Sequence, residues 1–261
     1  MGGMDFFSDD LKSVVNPKDM VRAFTHQKGE ASGELFLENL ALVTFTSQDL
    51  HSIVQSRQQA HLIGTWRNRN PRIYRGQGWV AVQSPLGAPG TIMLLEELVA
   101  FGVRCIILLG YCGTIQKGVF IGDLVLPLEA IREEGTSYHY LPKGEKSLPD
   151  LGIQRKLFDS IGRIGLPLHQ GTIWTTDAPY RETTEKVRRY RMEGVLAVEM
   201  EMAAVFAFGK AAKISVGAIL IVSDEVREEG WQIGFFSPQI RSTRKRVIEA
   251  FIHHLPELVS P

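Results

Sequence analysis

From about residue 35 onward, short apolar runs alternate with longer stretches whose apolar positions recur every three to four residues. The short runs at 40–45, 79–83, 104–109, 123–127, 171–176, 195–198 and 216–222 predict strands. The intervening periodicity predicts helices over 48–61, 91–101, 151–164 and 182–193, then from just after 198 to 212, and over 238–255. Strands that are apolar on both faces and separated by helices belong to a sheet covered on both sides. The expected fold class is therefore α/β, a three-layer α/β/α sandwich around a central mixed sheet. Residues 1–34 are polar and mixed; they predict a loosely structured N-terminal arm with a short helix near 17–24. Residues 35–261 are expected to form one domain.

Composition narrows the function classes. The chain has 261 residues, with 29 basic and 29 acidic side chains, so no net field draws it to nucleic acid or to an anionic membrane. No apolar run is long enough to span a bilayer, and no signal peptide is evident. The two cysteines, Cys105 and Cys112, lie in or beside one apolar strand, as expected of buried thiols in a reducing, cytoplasmic setting. No Cys/His cluster has ligand spacing, so neither a metal nor a cofactor is expected.

The stretch Glu199-Met200-Glu201 stands out, with two carboxylates in an apolar setting where a strand gives way to a helix. Acids buried there need polar partners. Adjacent sugar hydroxyls are one such partner, and a methionine packs well on a sugar or base face. The alternative is a helix start, with Glu answering the helix dipole. Ligands in such sheets bind at the carboxyl ends of strands, where Gly110, Thr175, Glu199 and Ser223 are expected.

Several segments recur in a fixed order: Gly87-Ala-Pro-Gly90, Leu109-Gly-Tyr-Cys-Gly-Thr114, Trp174-Thr-Thr-Asp-Ala-Pro-Tyr180, Val198-Glu-Met-Glu201 and Val222-Ser-Asp-Glu225. Together with Gly118-Val-Phe-Ile-Gly-Asp-Leu-Val125, they resemble the uridine phosphorylase and purine nucleoside phosphorylase family, which also has a hydrolytic, nucleosidase branch. The resemblance covers about residues 75–226. It implies that Glu201 holds the ribose hydroxyls, that Met200 packs on sugar and base, and that Glu199 lies nearer the base. It further implies that Asp224 protonates a purine leaving group at N7; a strand-end Asp capping the next helix is the alternative. Trp174 and Tyr180 are candidates to stack on the base, with Trp174 equally at home in a core. Gly110 and Tyr111, at the end of the third strand, complete the expected substrate-binding set. The Gln and Arg that follow this region in pyrimidine enzymes have no counterpart in register at 181–185, which favours a purine-type base.

The pattern fails at the phosphate. A Gly-Asp-Pro loop ending in Arg is replaced by Phe45-Thr-Ser-Gln-Asp-Leu50, the strand Arg by Leu108, and the small hydroxyl by Tyr111. A further family Arg falls near Thr65, where only Arg67 or Arg69 could substitute, after a register shift. Bulky Leu108 and Tyr111 are expected to make the pocket wall dry, which opposes a dianion. In the nucleosidase branch, resembling methylthioadenosine/S-adenosylhomocysteine nucleosidase, an acid near the position of Asp49 activates water; the plainer role for Asp49 is the first turn of a helix. The favoured expectation is hydrolytic cleavage of a nucleoside N-glycosidic bond. The alternatives are phosphorolysis through a rearranged phosphate site and nucleoside binding without turnover. The resemblance also implies a homo-oligomer built from dimers, up to a hexamer, with His26 in the arm and the segment 137–140 as candidate contacts.

Overall fold

The computed structural model describes residues 6–8, 13–26, 36–56, 60–63 and 72–259. Its first half runs α1 (Pro17–His26), β1 (Leu40–Thr44), α2 (Ser47–Ser56), β2 (His61–Leu62), β3 (Ile73–Arg75), β4 (Trp79–Gln83), α3 (Ala88–Ala100) and β5 (Cys105–Thr114). Then follow β6 (Leu124–Glu133), α4 (Leu151–Gly162), β7 (Leu168–Thr176), α5 (Thr184–Met192), β8 (Ala197–Glu199) and α6 (Met202–Ala212). The chain closes with β9 (Ser215–Arg227), β10 (Gly230–Ile233) and α7 (Pro238–Val259).

Local chemistry sets several boundaries. Asp150 caps α4 by accepting the Ile153 N–H at 3.0 Å, and Thr183 accepts the Lys186 N–H at the start of α5. Lys213 ends α6 in the left-handed conformation, φ 55°.

The strands form one ten-stranded mixed sheet in the order β10-β9-β6-β7-β8-β5-β1-β4-β3-β2. Alternate side chains divide between two cores, as the two-residue period of a strand requires. Ala41, Val43, Ile106 and Leu108 pack with Leu95 and Leu98 of α3 and Phe206 of α6. Leu40, Leu42, Ile107 and Leu109 pack with Ile53 of α2, Leu157 of α4 and Phe251 of α7. The layering is thus α/β/α, as expected.

Three features depart from the expectation. The sheet does not stay open, because β9 pairs in parallel with β5 and, near Leu124 and Val125, antiparallel with β6. The strands β9, β6, β7, β8 and β5 therefore close on themselves. Where β6 and β9 diverge, buried Gln154 bridges them: its amide donates to Pro127 O at 2.6 Å and its carbonyl accepts the Ala218 N–H at 3.0 Å. Second, the strand expected over 216–222 continues to Arg227 and turns back as β10. Third, the described part of the N-terminal arm does not hang free: α1 packs on α3 and buries Val21 in the main core. Among the described residues, no helix is long and apolar enough to cross a membrane. None of them forms a group of three or more His, Cys, Asp or Glu suited to a metal ion.

Candidate active site

The carboxyl ends of β5, β8 and β9 open into a cavity of about 410 Å³. Its wall includes Tyr111, Glu182, Met200, Glu201, Asp224 and Trp231. Glu199, Cys112, Ser223 and Val226 also contribute, and Leu86, Tyr180 and Phe235 are exposed around it.

The two acids of the Glu199-Met200-Glu201 stretch have different surroundings. Glu199 Oε2 accepts the backbone N–H groups of Glu201 (2.7 Å) and Met202 (2.8 Å), while Thr175 donates to Oε1. Thr175 Oγ1 in turn accepts the Ala203 N–H at 2.9 Å. These N–H groups belong to the first turn of α6, whose donors lack partners within the helix. Glu199 therefore satisfies a helix start, and Glu201 is the acid of the pair not taken up by these N–H groups. Glu201 is itself tethered: its Oε1 accepts the Gly87 N–H at 2.6 Å, from the turn that begins α3. Gly87 sits at φ 88°, a conformation that favours glycine. Burial pushes both carboxyls well above the usual range, and the charge of Glu201 adds to the effect at Glu199.

Asp224 owes its orientation to a bulge. On β9 the register with β5 shifts so that Cys112 opposes Val222 while Gly113 opposes Asp224, leaving Ser223 as an extra residue. Consecutive strand residues normally face opposite ways, and a bulge breaks that rule. Ser223 and Asp224 both line the cavity, with Ser223 Oγ donating to Asp224 Oδ1 at 2.6 Å. Gly113 provides the room: a Cβ there would lie 2.7 Å from Asp224 Oδ2. Trp231 Nε1 donates to that same oxygen at 2.7 Å. Cys112 beside it is an inert thiol, since burial and then the charges of Asp224 and Glu199 push it well up.

Other candidate residues stand elsewhere. Trp174 does not reach the cavity; it is fully buried and stacks at a tilt on Tyr190, with ring centroids 4.7 Å apart. As an inward residue of β7, it fills the core beneath α5 rather than meeting a base. Gly110 does not line the cavity either. Its missing side chain admits Leu220 and Phe45, since a Cβ would meet Leu220 at 2.8 Å. Leu108 packs into the α3/α6 core, so of the expected bulky pair only Tyr111 forms the wall. Tyr180 is 99% exposed at the rim.

Asp49 is fully buried in the first turn of α2, behind Tyr111 rather than in the cavity wall. Its carboxylate accepts the Tyr111 hydroxyl at 2.9 Å and Thr46 Oγ1 at 2.7 Å, and Arg244 Nε of α7 lies 3.5 Å away. Burial raises its proton affinity against the opposing effect of those three partners. Tyr111 lines the cavity in front of it, and burial and the neighbouring Asp49 push the Tyr111 hydroxyl up.

Glu182 and Trp231 carry no recognised signal in the sequence. Glu182 follows a single 3₁₀ turn, Pro179–Arg181, and reaches the cavity, where burial and then the charge of Asp224 push its carboxyl up to about 7. The sequence places Glu182 at the start of the charged helix expected over 182–193, whereas α5 begins at Thr184.

The geometry has counterparts among known proteins. Over 149 residues the chain is 32% identical to a guanosine phosphorylase of Halorubrum lacusprofundi, covering 57% of this chain and 62% of that protein. Over 156 residues it is 29% identical to a DeoD-type purine nucleoside phosphorylase of Bacillus cytotoxicus, covering 59% of this chain and 66% of the relative. The match thus spans less than two thirds of either relative's length. In fold, it resembles a Toxoplasma gondii purine nucleoside phosphorylase solved with immucillin-H, at TM-score 0.78 and 20% identity over 88% of this chain and 99% of that one. A Vibrio fischeri uridine phosphorylase gives TM-score 0.74 at 18% identity, with the same coverage. A family model described as the phosphorylase superfamily matches residues 39–253, and the chain belongs to that superfamily.

Proposed function

We propose that this protein cleaves the N-glycosidic bond of a purine nucleoside, with guanosine-type bases preferred. The observation that carries this reading is that Glu201, Met200 and Asp224 line a single cavity, Asp224 with an aromatic ring beside it. Cleavage builds positive charge on the sugar and negative charge on the base. A carboxylate at the ribose hydroxyls answers the first, and an acid at N7 answers the second. Glu182, titrating near neutrality beside Asp224, is suited to accept from the N1–H and 2-amino group of a 6-oxopurine. The name of the Halorubrum relative supports the same base.

The acceptor is where relatives and residues diverge. The named relatives are phosphorylases, which supports phosphate over water. A second reading, water, is favoured by the cavity itself: among the described residues, no Lys or Arg lines it. A phosphate dianion needs cations and N–H donors, and the position of the family's small hydroxyl holds Tyr111, bonded to Asp49. Arg67 and Arg69, like Thr65, lie outside the described residues.

Chromatography of base released from guanosine, inosine, adenosine and uridine, with and without phosphate, tests both parts. Guanine release that requires phosphate and yields ribose 1-phosphate establishes phosphorolysis. Release of free ribose without phosphate establishes hydrolysis. No release from any nucleoside sinks the proposed function.

A further inference from the structure

The β9–β10 hairpin puts an aromatic side chain where the reaction needs control of a proton. Trp231 pairs with Val226, and Ile233 with Asp224. Residues two apart on a strand share a face, and Asp224, Val226 and Trp231 all line the cavity. Both oxygens of Asp224 accept a hydrogen bond, Oδ1 from Ser223 and Oδ2 from Trp231 Nε1. The two donors differ in freedom. Ser223 is 4% exposed, in the bulge between paired strands, whereas Trp231 is 56% exposed on an edge strand. Trp231 is thus the donor at the open edge of the cavity. The hairpin is nonetheless located: Glu228 in its turn accepts from Arg188 Nε of α5 at 2.7 Å and from Arg191. Phe235 meets the Trp231 ring edge-on, with centroids 6.0 Å apart.

We propose that Trp231 is the positioning residue for the base-protonating acid: its N–H fixes the Asp224 carboxylate, and its ring gives the base a face to stack on. The proposal rests on the reading of Asp224 as that acid. In the step, the C1′–N9 bond breaks and its electron pair goes to the base. The Asp224 proton goes to N7, and C1′ bonds to the acceptor oxygen; a water acceptor keeps one proton as the new hydroxyl and gives up the other to solvent. Asp224 leaves the step as a carboxylate, and an N–H donor stabilises that form over the protonated one. Cys112 on β5 and Glu182 after β7 are the titratable groups interacting with Asp224, while Glu199 and Glu201 line the same cavity. Glu225 beside it is bonded to Arg227 at 2.7 Å.

Trp231→Phe keeps a ring and loses the donor; Trp231→Leu loses both. With guanosine as substrate across pH 5 to 9, the Phe variant leaves KM within about twofold and lowers kcat about tenfold, the worth of one hydrogen bond to a charged group. The Leu variant also raises KM about tenfold, as loss of one base–aromatic stack does. A Phe profile superimposable on the parent's overturns the proposal. A second measurement does not depend on turnover. The emission of Trp231, taken as the parent-minus-Phe difference spectrum, changes on addition of guanine and in Asp224→Asn. Emission indifferent to both overturns the proposal even if no nucleoside is cleaved. Responsive emission with no base release upholds the contact and overturns only the proposed function.

Discussion

Replacing Glu199 by alanine separates its structural work from that of Glu201. The carboxylate accepts two backbone N–H groups at 2.7 and 2.8 Å and the Thr175 hydroxyl, all in a site 6% exposed. Alanine leaves these donors without partners where water does not replace them. A buried donor left without its partner costs roughly 1.5 kcal/mol, so the two backbone donors set a cost of about 3 kcal/mol. Glutamine keeps one acceptor oxygen and removes the repulsion between Glu199 and Glu201, which lowers its cost to about 1 kcal/mol. Urea denaturation followed by circular dichroism at pH 7 measures both. The pH dependence has a definite sign. Burial raises the Glu199 carboxyl in the folded state, so its contribution is complete below the unfolded value of 4.5 and is lost as pH rises through the higher folded value. The parent therefore loses this contribution toward alkaline pH while the Gln variant has none to lose at this position, so their difference narrows between pH 5.5 and 8.5. An alanine cost below about 1 kcal/mol, or Gln and Ala costs that match, would refute Glu199 as the support of the α6 start.

Glu201→Gln, by contrast, removes the carboxyl proposed to hold the sugar and is expected to cost roughly 2–4 kcal/mol in kcat/KM for guanosine, read from initial rates; unchanged rates would leave the acid without a sugar role. Gly113→Ala places a methyl 2.7 Å from Asp224 Oδ2 and 2.9 Å from Val226 Cγ2. It is expected to lower kcat about tenfold while costing about 1–2 kcal/mol of stability; full activity would mean that Asp224 need not hold its position. Glu182→Gln tests the acid beside Asp224. Its folded value of about 7 against 4.5 means that parent stability falls as pH rises through that window. The melting temperature of the variant should thus gain on the parent's between pH 5 and 8, and a constant difference would contradict the burial argument.

The layers of this fold were legible because burial on both faces leaves a direct trace. The run at 79–83 reads as a strand and is one, and the helix expected over 151–164 ends within two residues of α4. What escaped was structure without a periodic trace. β10 is four exposed residues, Gly230–Ile233, and its pairing with β9 is a matter of register rather than of apolar alternation. For the same reason the sequence singles out Trp174 and not Trp231: one-dimensional pattern marks an aromatic residue but not which face of a strand it occupies. Glu199 and Glu201 read as a pair, yet their division of labour depends on the direction of the α6 N–H groups. Asp49 was legible as a first-turn acid, but the sequence does not show that Tyr111 comes between it and the cavity.

The closure of the strands through β9 has a consequence for motion. Residues 215–225 are bonded on one side to β5, and Leu220 and Ile221 on the other side also to β6. Opening that segment means breaking pairings that are distant in sequence, so the amides of Leu220 and Ile221 should exchange with solvent only in global unfolding. Beyond Glu225 the pairing with β5 ends, and the hairpin holds to the body through Glu228 and a few side chains. Exchange there is expected to be orders of magnitude faster. Asp224 sits at the junction of these two regimes: its backbone is paired to β5, and its Trp231 partner belongs to the hairpin expected to exchange faster.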